Sequence, residues 1–244
     1  MPNVLEKIIE EKKKLLKLIK KNNSLDSLEE KIKNLKCFLS FKEAIQNNKG
    51  VSLITEIKKA SPSAGVIIKD FDHLKIAEKY INNGATCLSV LTEEKFFLGN
   101  HKYIQDIKNN FKIPILAKDF FIDPYQIALS KSFGCDCVLI IIAAVENNQA
   151  DEIYAEALKH NLSVIVEVHD KKEAEFALKY DAQETLALLM EDIERVIDDN
   201  DNLVYDDSVD PNQSATSLTI GSISTDEGVI APLGIGEMTV RVRY

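Results

Sequence analysis

The chain has 244 residues, 45% of them hydrophobic and 28% charged, which fits a soluble globular protein of one large domain or two small ones. A net charge of −9 argues against a nucleic-acid partner, and no apolar run approaches the roughly 20 residues of a membrane helix. The N-terminal stretch MPNVLEKIIEEKKKLLKLIKK lacks the apolar core and small-residue cleavage site of a secretion signal, and Cys37, Cys87, Cys135 and Cys137 show no metal-type spacing. A cytoplasmic protein with reduced, buried thiols is the expectation.

The acidity is not evenly spread. All 27 lysines, all ten phenylalanines and all four histidines lie before residue 184, whereas the three arginines (Arg195, Arg241, Arg243) lie after it. Residues 1–183 are nearly neutral, and residues 184–244 set 3 basic against 13 acidic side chains. Such a break predicts two segments, 1–183 and 184–244, with a junction near Gln183.

In chain order, residues 4–21 and 25–36 read as amphipathic helices, the first with a solvated lysine face and the second capped by Ser24 or Asp26. Apolar strands follow near 51–57, 86–92, 113–117, 137–142 and 163–168, each followed or separated by a helical pattern. Five strand–helix units at about thirty-residue spacing predict a parallel sheet. A closed (β/α)8 barrel and an open doubly wound sheet both fit, but no Gly-rich phosphate fingerprint follows the first strand. After residue 183 the rhythm ends. ETLALLMEDIERVIDD reads as an amphipathic helix, and SLTIGSIS and GEMTVRVRY alternate as half-buried antiparallel strands do, giving a small acidic α+β segment.

The strand ends carry the chemistry. Side chains alternate faces along a strand, so Ile54, Glu56 and Lys58 share one face in ITEIKK. Leu116 and Lys118 do so in IPILAK, and Ile165 and Glu167 in SVIVEV. In a barrel this face looks inward, and catalytic groups sit at the carboxyl edge of the strands. Charges there are costly unless paired, and neighbours of opposite sign create one proton donor and one acceptor. Lys118 is expected near Glu167, and Glu56 beside Lys58. His169-Asp170 reads as a helix N-cap region, and EEKFFLGN as a loop or substrate lid.

LITEIKKASPSAGVI, LSVLTEEKFFLGN, IPILAKDFFIDPYQI and VIVEVHDKKEAEFAL together resemble indole-3-glycerol phosphate synthase, over roughly residues 4–183 and including N-terminal extra helices. The resemblance implies a TIM-barrel lyase of tryptophan biosynthesis. That family closes the indole ring of 1-(2-carboxyphenylamino)-1-deoxyribulose 5-phosphate with loss of CO2 and water, and needs no cofactor or metal. It implies Lys118 as general acid, Glu167 as general base, and Glu56 with Lys58 holding the network and the substrate carboxylate. Ser61 then belongs to the phosphate site, and Phe97 and Phe120 line the aromatic pocket.

The resemblance stops at residue 183. The family's sixth to eighth strands carry an Asn-Arg-Asn-like motif, a Ser-Glu-Ser-Gly motif and a Gly-Ser pair, none of which follows here. The expectation is an incomplete barrel of about five βα units with most of its phosphate-binding backbone missing, and with open sheet edges through which copies could associate. The alternative is a non-catalytic chimera whose C-terminal segment, faintly similar to phage tail or connector proteins, is an assembly or interaction module.

Overall fold

The computed structural model describes residues 3–35, 38–48 and 52–180, and two further strands at 185–190 and 219–222. Helix α1 (Val4–Asn22) starts at a capping box, in which the Asn3 side chain accepts from the Glu6 N–H and Glu6 reaches back to the Asn3 N–H. Ser24 caps α2 (Leu25–Lys33) as expected. A short helix α3 (Phe41–Gln46), capped by Ser40, precedes the sheet.

Strand β1 (Ile54–Ile57) runs into a small antiparallel hairpin, β2 (Ala60–Ser61) with β3 (Gly65–Val66). Then come α4 (His73–Asn82), β4 (Cys87–Leu91), α5 (His101–Asn110), β5 (Ile115–Lys118) and α6 (Tyr125–Ser132). These are followed by β6 (Cys137–Ile141), a 3-10 turn at Ile142–Ala144, α7 (Asn147–Lys159), β7 (Ser163–Val168) and α8 (Lys171–Ala177). Strands β8 (Thr185–Met190) and β9 (Thr219–Ser222) complete the described elements. The main sheet is parallel throughout, in the order β1-β4-β5-β6-β7-β8-β9, with helices alternating between strands up to β7: an incomplete (β/α) barrel. None of the described helices is long and apolar enough to cross a membrane.

Two corrections concern the C-terminal segment. Residues 185–190, read from sequence as the start of a helix, form a strand parallel to β7, and residues 219–222 pair parallel to β8 rather than antiparallel. TLALLM is a continuous apolar run after its threonine, the pattern of a strand buried on both faces, and such a run cannot be told from a buried helix by periodicity. An open β7 edge outweighs the modest helix propensity of Leu, Ala and Met. The remainder of that expected helix and the GEMTVRVRY strand lie outside the described residues, as does Cys37.

Period-two alternation sorts the strand residues into two cores. Leu88, Val90, Ile115, Ala117, Val138, Ile140, Val164 and Val166 face the helices. Ile54, Cys87, Leu116, Cys137, Leu139, Ile141 and Ile165 face the other way and pack with Phe41 and Ile45 of α3. The register aligns this inner set, Ile54 opposite Cys87, Leu116 opposite Cys137 and Leu139 opposite Ile165. Helix α3 thus plugs the amino end of the inner face, where the first inward residues of β1, β4 and β6 lie. Asp136 pins the preceding segment there, accepting from the Leu39 and Ile115 N–H groups and pairing with Lys108 at 2.8 Å.

Helix α1 is fastened at the opposite end. Glu11 pairs with Lys95 in the loop after β4, and Lys20 with Asp123 in the loop after β5. Between them Lys12, which the sequence reading placed on a solvated face, is buried and pairs with buried Asp119 at 2.5 Å. Asp119 also accepts from the Thr92 hydroxyl at 2.7 Å and from the Phe120 N–H at 2.8 Å. Removing one partner of a buried ion pair strands the other in a low-dielectric site. Lys12→Met, which keeps the aliphatic stem and deletes the charge, is expected to lower unfolding free energy by about 3–5 kcal/mol in urea denaturation. A change within the roughly 0.5 kcal/mol typical of surface substitutions would show that the pair does not fasten α1.

Candidate functional site

Strands β1, β4 and β5 are adjacent, and their carboxyl ends bring three charged side chains together. The Glu56 carboxylate, with its side chain 2% exposed, lies between two ammonium groups: Lys58 Nζ is 3.2 Å from Oε1 and Lys118 Nζ is 3.3 Å from Oε2. Glu56 Oε2 has no well-aligned hydrogen bond, so its contact with Lys118 is one of charge rather than directed bonding. Beside it, Ser89 stands opposite Glu56 in the β1–β4 register, and its hydroxyl is also buried without a protein partner. Among the described residues, two buried oxygens on this stretch of the inner face thus have no hydrogen-bond partner, which is uncommon in folded proteins.

Lys118 is 32% exposed in its side chain and so reaches the mouth, whereas Lys58 is buried beside Glu56. Cationic and anionic side chains thus stand side by side at this edge, with the Lys118 ammonium the one nearer solvent.

Glu167 ends β7 on the same inner face, its side chain 11% exposed. Among the described residues Lys118 pairs with Glu56 rather than with Glu167, and Glu167 meets His169, with Nε2 to Oε1 at 3.4 Å. The other ring nitrogen of His169 faces Glu173 at 3.4 Å, and its backbone N–H donates to the same carboxylate at 2.8 Å. Hydrogen bonding to Glu167 is the main cause that pushes the His169 pKa up. Asp170 caps α8 by accepting from the Glu173 N–H, as its sequence position suggested.

Phe97 and Phe120, from the loops after β4 and β5, meet with ring centroids 6.1 Å apart in a tilted arrangement. Both are half-buried. The backbone around Phe97 is fixed by Glu93, a buried carboxylate that accepts from the N–H groups of Lys95, Phe96 and Phe97 at 3.1, 2.6 and 3.1 Å. Leu98 then adopts a left-handed φ of 52°, and Gly99 packs so closely that a Cβ would collide with the Leu91 carbonyl. Ser61 sits on the exposed hairpin after β1, where its hydroxyl accepts from the Ala64 N–H at 3.1 Å.

Sequence reading missed Ser89, Glu93, Asp119 and Lys12. Ser89 carried a usable signal, since it shares the inward phase of Cys87 on β4. The roles of the other three depend on loops and on contacts distant in sequence.

Two family models match the chain. Indole-3-glycerol phosphate synthase matches residues 5–184, and Bacteriophage Tail Tube Terminator Protein matches residues 140–244. Curated relatives named indole-3-glycerol phosphate synthase include one from Alkaliphilus metalliredigens, 41% identical over 180 residues, covering 74% of this chain and 69% of that protein. Another, from Acinetobacter baumannii, is 41% identical over 74% of this chain and 67% of its own length. A third, from Chlorobium chlorochromatii, is 40% identical over 73% and 70%. A solved structure titled Native KDPGal structure overlaps 58% of this chain and 60% of that one at 17% identity, with a TM-score of 0.39.

A titration tests the Glu167–His169 contact. A raised imidazole pKa means that the contact contributes fully below the unfolded value of about 6.5 and is lost as pH rises through the folded value. His169 is expected to titrate above about 6.5 by NMR, and lower in Glu167→Gln. Identical midpoints in the two proteins would show that the pair is not formed in solution.

Proposed function

The chain belongs to the indole-3-glycerol phosphate synthase family, and we propose that its inner-face cluster carries that family's ring-closing chemistry on 1-(2-carboxyphenylamino)-1-deoxyribulose 5-phosphate. One observation supports this above the others: Glu56 held between Lys58 and Lys118 at the carboxyl edge of adjacent strands, where barrel enzymes place their catalytic groups.

In this reading Lys118, partly exposed at the mouth and oriented by Glu56, donates the proton to the ribulose oxygen as the ring closes. Glu56 with the buried Lys58 holds this network, and the Lys58 ammonium receives the substrate carboxylate, which leaves as CO2. Glu167 accepts the proton removed during dehydration, and water departs. Phe97 and Phe120 form the aromatic wall, and Ser61 on the hairpin after β1 contributes a hydroxyl to the phosphate. A positioned acid and base in apolar surroundings each contribute about 100- to 10,000-fold to such proton transfers.

Indole formation followed by fluorescence, with the purified full chain and the carboxyphenylamino-deoxyribulose phosphate, tests the reading. Turnover is expected, with losses of about 100-fold or more in Lys118→Ala and in Glu167→Gln. Turnover unchanged in either variant overturns the role given to that residue, and a folded chain without turnover overturns the activity.

A second reading rests on the tail-terminator match over residues 140–244. In it residues 1–183 are the barrel-like part, and residues 184–244 are an acidic assembly module that brings copies of the chain together. The full chain is then expected to form a defined multimer in light scattering. A monomer at micromolar concentration overturns it.

A further inference from the structure

Away from the strand ends, in the outer helical layer, three potential metal ligands converge. His160 follows the last residue of α7 and closes that helix, its N–H bonding back to the carbonyls of Glu156 and Ala157. Its side chain is 5% exposed, and Nε2 points at two carboxylates, 3.0 Å from Glu156 Oε1 and 3.4 Å from Glu29 Oε1. Glu156 is one turn back on α7, and Glu29 lies in the middle of α2. All three ligand atoms fall within 4.8 Å of one another, and among the described residues no other His, Cys, Asp or Glu group meets that spacing.

A nearly buried imidazole facing two carboxylates through one nitrogen is poorly served by hydrogen bonding alone. Nε2 carries at most one proton, so it can serve one carboxylate well and not both. Two ligands bound to zinc at about 2.0–2.1 Å in a tetrahedron stand about 3.3 Å apart, and the His160 distances of 3.4 Å to Glu29 and 3.0 Å to Glu156 lie on either side of that value. A dication also cancels the charge of the two carboxylates. We propose that Glu29, Glu156 and His160 bind a zinc-class divalent transition metal that clasps α2 to the end of α7.

One nitrogen with two carboxylate oxygens is a donor set that zinc takes, with water as a fourth ligand. It does not match calcium or magnesium, which take oxygen ligands in larger numbers. Lys159 competes for Glu156, with Nζ 3.0 and 3.3 Å from its two oxygens, and its charge also acts on Glu29. Its side chain is mostly exposed and can swing into water when a cation enters. The metal has no part in ring closure. It fixes the N-terminal helices to the barrel wall.

Calorimetric titration of the chelator-stripped full chain with Zn2+ at pH 7.5 tests the site. One equivalent should bind, raise Tm, and show an X-ray absorption shell of nitrogen and oxygen without sulfur. Binding should weaken at least tenfold in Glu29→Gln and in His160→Asn. Glu29→Gln alters a partly exposed side chain, so it reports on the metal even if a change at His160 unfolds the chain. No binding up to millimolar Zn2+, a shell containing sulfur, or wild-type affinity in Glu29→Gln overturns the proposal. The first of these leaves the three groups as a plain histidine–carboxylate bridge.

Discussion

A carboxylate that is 2% exposed at the inner end of β1 is the constraint around which the rest is arranged. Glu56 cannot leave the inner face without turning Ile54 and Lys58 with it, because the strand alternates strictly. Nor can it remain ionised there without nearby positive charge, because desolvating a lone charge costs several kcal/mol. Lys58 supplies one positive charge from the same strand, and Lys118 brings a second from across β4, which requires β5 to lie close and in register. The Leu91–Lys118 pairing in the β4–β5 ladder delivers this. A site built this way is tied to sheet register, so any slip that misplaced the lysine would also expose the apolar set beneath it.

The loops above the sheet follow the same rule one layer out. Glu93 and Asp119 are buried carboxylates, one at the end of β4 and one at the end of β5. Glu93 spends its oxygens on three backbone N–H groups and so shapes the turn that presents Phe97. Asp119 directs one oxygen to Lys12 and the other to Thr92, which ties the N-terminal helix to the residue next to Lys118. Helix α1 is therefore attached by charge at the carboxyl edge, while α3 is attached by apolar packing at the amino edge. Segments that precede the sheet in sequence thus pack at both of its edges, α3 beneath the inner face and α1 against the loops at the carboxyl side.

Much of this was legible in the residues. Period two alone sorted the inward and outward sets of β1, β5 and β7, because a strand fixes its side-chain phase locally. It also placed Glu56, Lys58, Lys118 and Glu167 at one edge. Partner choice was not legible. Which carboxylate Lys118 meets depends on register between strands sixty residues apart. The burial of Lys12 depends on where α1 docks, which its seemingly solvated face conceals. At 185–190 the expected helix gave way to a strand, where short apolar runs are ambiguous, since Leu, Ala and Met favour a helix in isolation but the β7 edge offered a ladder. Helix α3 left only a Ser40–Glu43 capping pattern and an i,i+4 Phe41–Ile45 pair, too short to stand out.

The ladder between β7 and β8 shows how little a sheet edge asks of the segment that joins it. Val164 to Val168 pair one for one with Thr185 to Leu189, across the point where lysine, phenylalanine and histidine vanish from the composition. The ladder is made of peptide groups, which are the same in every residue but proline. A sheet edge therefore accepts a newcomer for being extended and apolar, whatever its ancestry. In a closed barrel the eight-strand count leaves no place for such an addition, whereas an open parallel sheet keeps an edge where one more extended segment can pair without any change in the strands before it.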